Sequence, residues 1–351
     1  MSLPLYLKNL GLEISNPCNE RCIHCYRTGE KTRTGFLSAD EVKAILVQTA
    51  EFIDSGCHIT VTGGEVFLNP QWKDILQVIS ASGKRFSLFT NGTLLDEEAA
   101  LFLSSLKNKG LKEVQLSLYA LEEDIHDEVT GLKGSCAKTK RALSLLRRYE
   151  IPVFISCPVM QMNKNSFHHL AAWADANGIP SCCDLMIFDN ADYTQKNRNQ
   201  RLSIKDLEEI FPVTMDPQFN LSYIWGKGGY NQTPETTPFY GSVQNGLCIA
   251  GDGTVYPMIG CYRELGNIHT DSLKEIFFNH PLLKEMRTIM AADFEECRSC
   301  EAFDFCHFCP TAHLNANQGQ LYRLDENYCN YIRTIKSFAL RRDALETNKK
   351  D

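Results

Sequence analysis

The sequence predicts an α/β fold, in which a partial (β/α)6 TIM-like barrel, open on one side, precedes a small cysteine-rich domain. Strand and helix patterns alternate over the first 190 residues, which indicates a parallel sheet with crossover helices. The chain after residue 247 is instead turn-rich and carries seven of the 15 cysteines. The predicted divisions are therefore a core barrel over 1–190, a bridging segment over 191–247 and a C-terminal domain over 248–351.

Six short strands and five helices make up the predicted barrel. The strands are Leu10–Ser15, His58–Thr62, Phe86–Thr90, Val114–Tyr119, Val153–Val159 and Cys182–Phe188. The helices between them are Asp40–Phe52, Gln71–Ser82, Glu97–Asn108, Ala137–Tyr149 and Phe167–Asn177. In parallel barrels the chemistry lies at the C-terminal ends of the strands, so the loops that follow these strands are the candidate site.

Local signals mark where several elements begin and turn. Ser38 and Glu41 have capping-box spacing, and Leu37 with Val42 is placed to form a hydrophobic staple around that cap. Asp96 is the predicted N-cap of the third helix. In the C-terminal domain, Asp252-Gly253 predicts a hairpin turn and residues 331–347 a final helix.

The bridging segment is polar and rich in glycine, proline and asparagine, with one helix predicted at Ile204–Phe211. Its aromatic residues Trp225, Tyr230 and Tyr240 are scattered. Two interpretations stay open: an irregular linker, or a bridge that lines a substrate channel.

Composition narrows the class of protein. The net charge is −7 and the pI about 5.8, which argues against a broad nucleic-acid or anionic-membrane surface. We find neither a secretory signal pattern nor an apolar run long enough to span a membrane. A cytoplasmic, reducing location is therefore expected, where clustered cysteines bind metal more often than they form disulfides.

Three cysteines share one short loop after the first strand, as Cys18-x3-Cys22-x2-Cys25. A [4Fe-4S] cluster has four irons to ligate, so a loop that supplies three thiolates leaves one iron open to a small molecule. The competing interpretation is structural zinc with His24 as the fourth ligand. The cysteines at 57, 136, 157, 182 and 183 are expected to be ordinary packing residues.

A second signal, Gly63-Gly64-Glu65, ends the second strand. Glycines allow a ligand to approach the backbone closely and are expected to leave amides free to meet it. Glu65 adds a carboxylate that suits an ammonium group. A Gly-Gly turn is common, but it becomes informative about 40 residues after a three-cysteine loop.

Together these motifs resemble the radical S-adenosylmethionine (SAM) superfamily, over roughly residues 8–190. The resemblance implies a partial (β/α)6 barrel whose three loop cysteines ligate a [4Fe-4S] cluster. It implies that the open iron chelates the amino and carboxylate groups of SAM, with Gly63, Gly64 and Glu65 around the amino group. One electron then cleaves the S–C5′ bond, and the 5′-deoxyadenosyl radical abstracts a substrate hydrogen.

The same resemblance implies further SAM contacts. Ser117 corresponds to a polar contact, Lys138 to the residue that meets the SAM carboxylate, and Asn91 to a strand-end position near the cofactor. Tyr26 is placed to pack near adenine. Each has a plainer alternative. Ser117 could be a hydrogen-bonded hydroxyl within the barrel, and Lys138 a solvated lysine. Asn91 could be a turn residue, and Tyr26 a ring in the core of the loop. Catalytic acid or base candidates near strand ends are Tyr119, His126, Asp127 and Cys136.

The C-terminal cysteines resemble the SPASM domain, which holds auxiliary iron–sulfur clusters. The resemblance places Cys248, Cys261 and Cys309 on a first cluster, and Cys297, Cys300, Cys306 and Cys329 on a second. It implies the [4Fe-4S] type for these auxiliary clusters. Two features depart from the family pattern. Residues 240–247 lack a cysteine that the family often has, and Cys306-x2-Cys309 is one residue shorter than the common spacing. The first cluster is thus left with three cysteines, and a zinc ribbon is the alternative for residues 297–309.

SPASM-bearing members mostly modify ribosomal peptides or protein side chains, so the leading hypothesis is a peptide maturase that forms a cross-link such as a thioether. The resemblance also implies a flavodoxin- or ferredoxin-type electron donor. The peptide is bound either directly or with a separate recognition protein. The alternatives are an enzyme acting on a small molecule such as a tetrapyrrole side chain, and a non-catalytic metal scaffold. A basic cavity favours the tetrapyrrole; a long groove beside residues 191–247 favours the peptide.

Overall fold

The computed structural model describes residues 5–27, 34–214, 242–306 and 308–347. The strands in this part of the chain are β1 (Leu7–Ser15), β2 (Ile53–Gly63), β3 (Arg85–Thr90), β4 (Leu111–Ser117), β5 (Val153–Ser156), β6 (Ser181–Cys182), β7 (Gly246–Ile249), β8 (Thr254–Tyr256) and β9 (Gly266–Asn267). They form one sheet in the order β6-β5-β4-β3-β2-β1-β7-β8-β9. The first six strands are parallel, which confirms the predicted partial barrel.

Helices connect and cover these strands. They are α1 (Ala39–Thr49), α2 (Trp72–Ala81), α3 (Glu97–Ser104), α4 (Glu123–Thr130), α5 (Ser135–Arg148), α6 (Phe167–Ala176), α7 (Ile204–Thr214), α8 (Ser242–Asn245), α9 (Leu273–Asn279), α10 (Pro281–Met286), α11 (Glu295–Arg298), α12 (Pro310–Ala316) and α13 (Glu326–Thr347). Short 3-10 turns lie at Val66–Leu68, Arg198–Gln200, Ala291–Asp293 and Phe303–Phe305. No helix among the described residues combines the length and hydrophobicity needed to cross a bilayer.

The cysteine-rich segment does not form a separate sheet. β7 pairs in parallel with β1, with Gly11 opposite Cys248, and then turns through Asp252 and Gly253 into antiparallel β8. The predicted hairpin is therefore present, and it extends the barrel sheet beyond β1. As a consequence, a cysteine of the C-terminal segment lies beside the strand that leads into the first cysteine loop.

Several elements differ from the prediction. β2 begins at Ile53 rather than His58, β5 ends at Ser156 rather than Val159, and the third helix ends at Ser104 rather than Asn108. The sixth strand was expected to reach Phe188 but pairs only over Ser181–Cys182, because β6 is the sheet edge and the chain leaves the ladder after one more bond, from the Val159 amide to the Asp184 carbonyl. α4 was not predicted. It begins without a side-chain cap. Four of its eight residues are acidic and its large apolar residues are Ile125 and Val129, so the apolar stripe is short.

The core lies between the sheet and its helices. Leu12, Val61, Leu88 and Val114 of successive strands are all essentially inaccessible to solvent. Of the bridging segment, residues 215–241 lie outside the described residues, and with them Trp225, Tyr230 and Tyr240.

The capping box of α1 is confirmed and supports a stability prediction. The Glu41 amide donates to Ser38 Oγ (3.2 Å), and the Ser38 amide donates to Glu41 Oε2 (2.7 Å). We expect Ser38→Ala to lower the free energy of unfolding by about 1 kcal/mol, because an N-terminal amide loses its acceptor. Urea denaturation measures this change. The exposed Ser144→Ala, within α5, is the control and is expected to stay within about 0.5 kcal/mol of wild type.

Candidate active site

The first cysteine loop lies directly after β1 and is held by hydrogen bonds from several elements. The Arg21 and Ile23 amides donate to carbonyls at the end of α4, at 2.8 and 2.9 Å. Asn190 and Asn197 donate through their side chains to the Cys25 and His24 carbonyls, each at 3.0 Å. The loop is thus anchored on two sides before any ligand is considered.

Cys18, Cys22 and Cys25 are half-buried, form no disulfide, and line one cavity of about 290 Å³. The cavity lies at the C-terminal ends of the strands, as predicted for a barrel. The strand-end residues that line it are Thr62, Gly63, Gly64, Phe89, Thr90, Asn91, Gln115, Ser117, Tyr119 and Asp184. Cysteine loop and strand ends therefore face the same space.

The thiols fit a group that brings positive charge. Burial raises the pKa of Cys18 to about 11, and the charges of Glu65, Glu20 and Cys25 add to that rise. Burial and Glu20 likewise raise the pKa of Cys22. Such thiols become thiolates only beside a compensating cation, which iron supplies. These residues would hold a [4Fe-4S] cluster through three cysteines.

Gly63 and Gly64 allow the end of β2 to pack against the start of the cysteine loop. A Cβ added at Gly64 would lie 2.1 Å from the Pro17 carbonyl oxygen, and one at Gly63 would lie 2.3 Å from that of Ser15. The expectation that this turn leaves its amides free is wrong for the amides of Gly64 and Glu65. The Gly64 amide donates to the Ser15 carbonyl (2.6 Å), and the Glu65 amide donates to that of Pro17 (2.9 Å).

The Glu65 carboxylate does not line the cavity. It accepts hydrogen bonds from the Thr90 hydroxyl (2.7 Å) and from the Asn91 and Phe67 amides (2.9 and 3.1 Å). Burial raises the pKa of Glu65, and these hydrogen bonds oppose the rise. In this structure Glu65 ties β2 to β3, so its contact with a SAM amino group stays a prediction.

Asn91 lines the cavity and also positions the cysteine loop. Its Nδ2 donates to Asn19 Oδ1 (2.9 Å), and its Oδ1 accepts from the amide and hydroxyl of Thr93. Ser117 lines the cavity and hydrogen-bonds the Tyr119 hydroxyl. Both residues therefore combine a structural role with a place at the candidate site.

Lys138 lies outside the cavity of the first cysteine loop. It is exposed on α5 and does not line the cavity, so the structure does not support it as a SAM contact. The reason is its neighbour: Thr139 is buried and donates to the Asn91 carbonyl (2.7 Å), which turns the preceding residue outward.

Several cavity residues were missed from the sequence, among them Gln115, Asp184 and Glu20. Gln115 precedes Ser117 by two positions on β4, so strand alternation was the available signal. Asp184 is the first charged residue after β6, at a strand end, and burial raises its pKa. Glu20 lies inside the cysteine loop and accepts from Cys22 Sγ (3.3 Å).

Tyr26 lines the cavity and stacks on Tyr262, with ring centroids 6.2 Å apart and planes inclined by 25°. Burial raises its pKa well above the usual range. The ring therefore stands between the cysteine loop and the C-terminal segment.

The remaining cysteines form two groups and a set of packing residues. Cys297, Cys300, Cys306 and Cys329 line one apolar cavity. Burial raises the pKa of Cys297 and Cys306 to about 12, and the neighbouring thiols add to the rise. Cys57, Cys136, Cys157, Cys182 and Cys183 are buried in the core, as expected.

In the other group, Cys248 and Cys261 are buried and Cys309 is half-buried. Burial raises the pKa of Cys261 to about 12, with Cys309 adding to the rise, and Cys261 in turn raises that of Cys248. No three His, Cys, Asp or Glu side chains within the described ranges are arranged to hold a single metal ion. A four-iron cluster instead takes its thiolates on separate irons.

Of the acid or base candidates, Tyr119 lines the cavity, whereas His126, Asp127 and Cys136 do not. Asp127 accepts from the Ser135 hydroxyl (3.0 Å) and the Cys136 amide (2.9 Å). His126 Nδ1 accepts from the Tyr119 amide (3.2 Å), so its role is to hold the backbone of a cavity residue.

Because His126 is buried, we predict that the free energy of unfolding depends on pH. Burial lowers its pKa from 6.5 to about 4, so the unfolded chain takes up a proton before the folded one does. Stability is therefore lost as pH falls from about 6.5 to about 4, by about 3 kcal/mol. Burial also lowers the pKa of His313 to about 4, so a second group contributes to the slope over the same range. We therefore expect His126→Gln to remove about half of the slope in denaturation measured across that range. The exposed His169→Gln is the control, and an unchanged slope in His126→Gln contradicts the assignment.

Comparisons with known proteins agree with this geometry. The Radical SAM superfamily model matches residues 12–174, which include the cysteine loop and Gly63–Glu65. The model of the SPASM iron–sulfur cluster-binding domain matches residues 242–301.

Relatives resemble most of the chain. The antilisterial bacteriocin subtilosin biosynthesis protein AlbA of Bacillus subtilis is 26% identical, over 87% of this chain and 68% of its own. The AdoMet-dependent heme synthase of Methanosarcina barkeri is 25% identical, over 92% and 96%. The PqqA peptide cyclase of Gluconobacter oxydans is 26% identical, over 86% and 84%.

Solved structures share the fold. The structure of anSMEcpe with bound AdoMet and the Kp18Cys peptide superposes with a TM-score of 0.72 at 22% identity, covering 97% of this chain and 99% of that one. Streptococcus suis SuiB bound to its precursor peptide SuiA has a TM-score of 0.71 at 16% identity, covering 92% and 76%.

Proposed function

Because the chain belongs to the radical SAM superfamily and carries a SPASM domain, we propose that it is a maturase of ribosomal peptides. The [4Fe-4S] cluster, when bound, supplies the electron that cleaves SAM to the 5′-deoxyadenosyl radical. That radical takes a hydrogen atom from the peptide. The proposed product is a cross-link such as a thioether.

The proposed ligands follow the grouping of the thiols. Cys18, Cys22 and Cys25 hold the SAM-binding cluster, within the cavity that Gly63 and Gly64 help to shape. The four cysteines that share the apolar C-terminal cavity hold one auxiliary cluster. Cys248, Cys261 and Cys309 hold the other, with no fourth cysteine assigned to it.

The observation that carries the peptide assignment is the charge of the cavity. Among the described residues that line it, Glu20 and Asp184 are acidic, and the one arginine, Arg27, is paired with Glu13 at 3.3 Å. A carboxylate-rich tetrapyrrole requires basic contacts that these residues do not offer. A peptide, with its neutral amides, is compatible with such a wall. The relatives AlbA and PqqA peptide cyclase support the same class of substrate.

Tetrapyrrole chemistry is the second candidate, because the heme synthase relative aligns along nearly the whole of both chains. The groove that would distinguish a peptide from a tetrapyrrole substrate was predicted beside residues 191–247. Residues 215–241 of that segment lie outside the described residues.

We also propose the surroundings in which the enzyme works. None of its 15 cysteines forms a disulfide in the structure, which suits a reducing cytoplasm. A flavodoxin or ferredoxin supplies the electron, and the peptide is presented either directly or by a separate recognition protein.

The test is an anaerobic assay of protein loaded with iron and sulfide, with SAM and a strong reductant. Small peptides encoded beside its gene are added in one arm and an iron porphyrin with propionate side chains in the other. We expect 5′-deoxyadenosine in both arms, and a peptide lighter by two hydrogen atoms in the first. Oxidation of the porphyrin with unchanged peptides would favour the second candidate. Loaded protein that neither binds nor cleaves SAM would indicate the scaffold.

A further inference from the structure

A buried charged network joins the first cysteine loop to the C-terminal segment. Arg27 Nη1 lies 3.3 Å from Glu13 Oε2, and the two side chains are 6% and 0% exposed. The Tyr262 hydroxyl donates to Glu13 Oε1 (2.7 Å), and Arg27 Nη2 donates to Asn16 Oδ1 (3.3 Å). A buried ion pair is weak evidence for stability, because well-packed apolar residues often replace one without loss. The network therefore calls for another explanation.

The two charges lie between the two proposed cluster sites. Arg27 follows Cys25 by two residues, whereas Tyr262 directly follows Cys261. Glu13 lies two residues beyond Gly11, which is opposite Cys248 in the sheet, so Glu13 and Gly11 point to the same face.

The two charges differ in the site to which each is nearer. Arg27 lines the cavity of the first cysteine loop, and Glu13 does not. Glu13 instead follows Gly11 by two residues, and a Cβ added at Gly11 would lie 3.1 Å from Cys248 Sγ. Tyr26, which follows Cys25, stacks on Tyr262 and closes the space between the sites. The carboxylate therefore acts more strongly on the auxiliary side, and the guanidinium is tied by sequence to the SAM-binding side.

We propose that the Glu13–Arg27 pair biases an electron shared by the two sites toward the SAM-binding site. This inference rests on the proposed function, since both sites must be loaded. A buried negative charge disfavours an added electron nearby, and a buried positive charge favours it. An electron taken up at the auxiliary site during peptide oxidation then moves to the SAM-binding site. The auxiliary site is then oxidised and the SAM-binding site is reduced, and no bond is broken and no proton is transferred.

The experiment is a redox titration of the loaded protein followed by electron paramagnetic resonance. Signals are assigned with Cys22→Ala for the SAM-binding site and Cys248→Ala for the auxiliary site. We expect Glu13→Gln to change the reduction equilibrium of the auxiliary site about tenfold, which raises its midpoint potential by about 59 mV. The midpoint potential of the SAM-binding site is expected to rise by less. Arg27→Gln is expected to lower the SAM-binding midpoint more than the auxiliary one. The control is Asp206→Asn. Asp206 lies on α7 and pairs with Lys164, and its neutralisation is expected to shift neither midpoint potential.

Two results overturn the inference: midpoints that do not move in either charge variant, or midpoints of both sites that move equally. If the charge variants lose their clusters, Tyr262→Phe carries the test. It keeps both charges and removes the hydroxyl donor from Glu13, so the auxiliary midpoint is expected to fall, and an unchanged midpoint counts against the inference. Wild-type protein that loads no cluster refutes the proposed function as well, whereas unchanged midpoints in loaded variants refute this inference alone.

Discussion

Cys22→Ala is expected to abolish reductive cleavage of SAM. Cys22 lies in the middle of the loop that also presents Cys18 and Cys25 to the cavity. Even changes outside the ligand shell cost metal sites 10–100-fold, so loss of a thiolate ligand should lower 5′-deoxyadenosine formation at least about 100-fold. Anaerobic assays with SAM and reductant measure the nucleoside, and chelation assays measure iron. Iron is expected to fall by about four atoms per chain, with the auxiliary sites retained.

Cys57→Ala is the matched control for that substitution. Cys57 is a buried thiol in β2 that does not line the cavity, so its removal leaves the candidate ligands intact. We expect wild-type iron content and nucleoside formation, with a small loss of stability. Cleavage of SAM by Cys22→Ala at the rate of this control would contradict the assignment of the loop as the cluster site.

Gly64→Ala is expected to damage the same activity without touching a thiol. The added Cβ would lie 2.1 and 2.4 Å from the Pro17 carbonyl oxygen and carbon and 2.6 Å from the Asn16 carbonyl oxygen. These are backbone atoms, so the loop that begins with Cys18 must shift. Such overpacking costs about 1–3 kcal/mol of stability. A displacement of about 1 Å at a reacting centre costs about 100-fold in rate, which the 5′-deoxyadenosine assay detects.

Gly56→Ala, in the same strand, separates this effect from the general cost of losing a glycine. Gly56 is exposed, and the one neighbour of an added Cβ is the flexible Asp54 carboxylate at 3.3 Å. We expect a rate close to wild type. If Gly64→Ala instead matches Gly56→Ala in rate and in unfolding free energy, the close packing of β2 on the cysteine loop is not needed for SAM cleavage.

The elements with strong local signals were predicted well. The strands β1 to β5 contain apolar or alternating segments that stop at polar or glycine-rich loops. The α1 cap is encoded within four consecutive residues, Ser38–Glu41. β6 was predicted too long because its apolar run continues after the ladder ends. Pairing depends on a neighbouring strand, which no local pattern reports.

In the candidate site too, residues with a local sequence signal were predicted and residues that depend on packing were not. Thiol spacing within residues 18–25 indicated the cluster loop, since ligands that share one loop are near each other whatever the fold. Lys138 was assigned by resemblance, but the inward turn of Thr139 places it on the exposed face of α5. Glu65 was expected at the ligand. Its carboxylate instead accepts from Thr90 of β3, from the Asn91 amide that follows β3, and from the Phe67 amide of the 3-10 turn after β2.

The sequence by itself determined the fold class, the family and the two cysteine-rich regions, because these depend on periodicity and short spacing. Only the tertiary structure decided which distant residues share a space. Asp184 reaches the cavity because β6 ends beside it, and Glu13 meets Arg27 and Tyr262 because β7 adds to β1. Such contacts join residues up to 249 positions apart, and they arise from strand pairing and burial that the chain acquires only when folded.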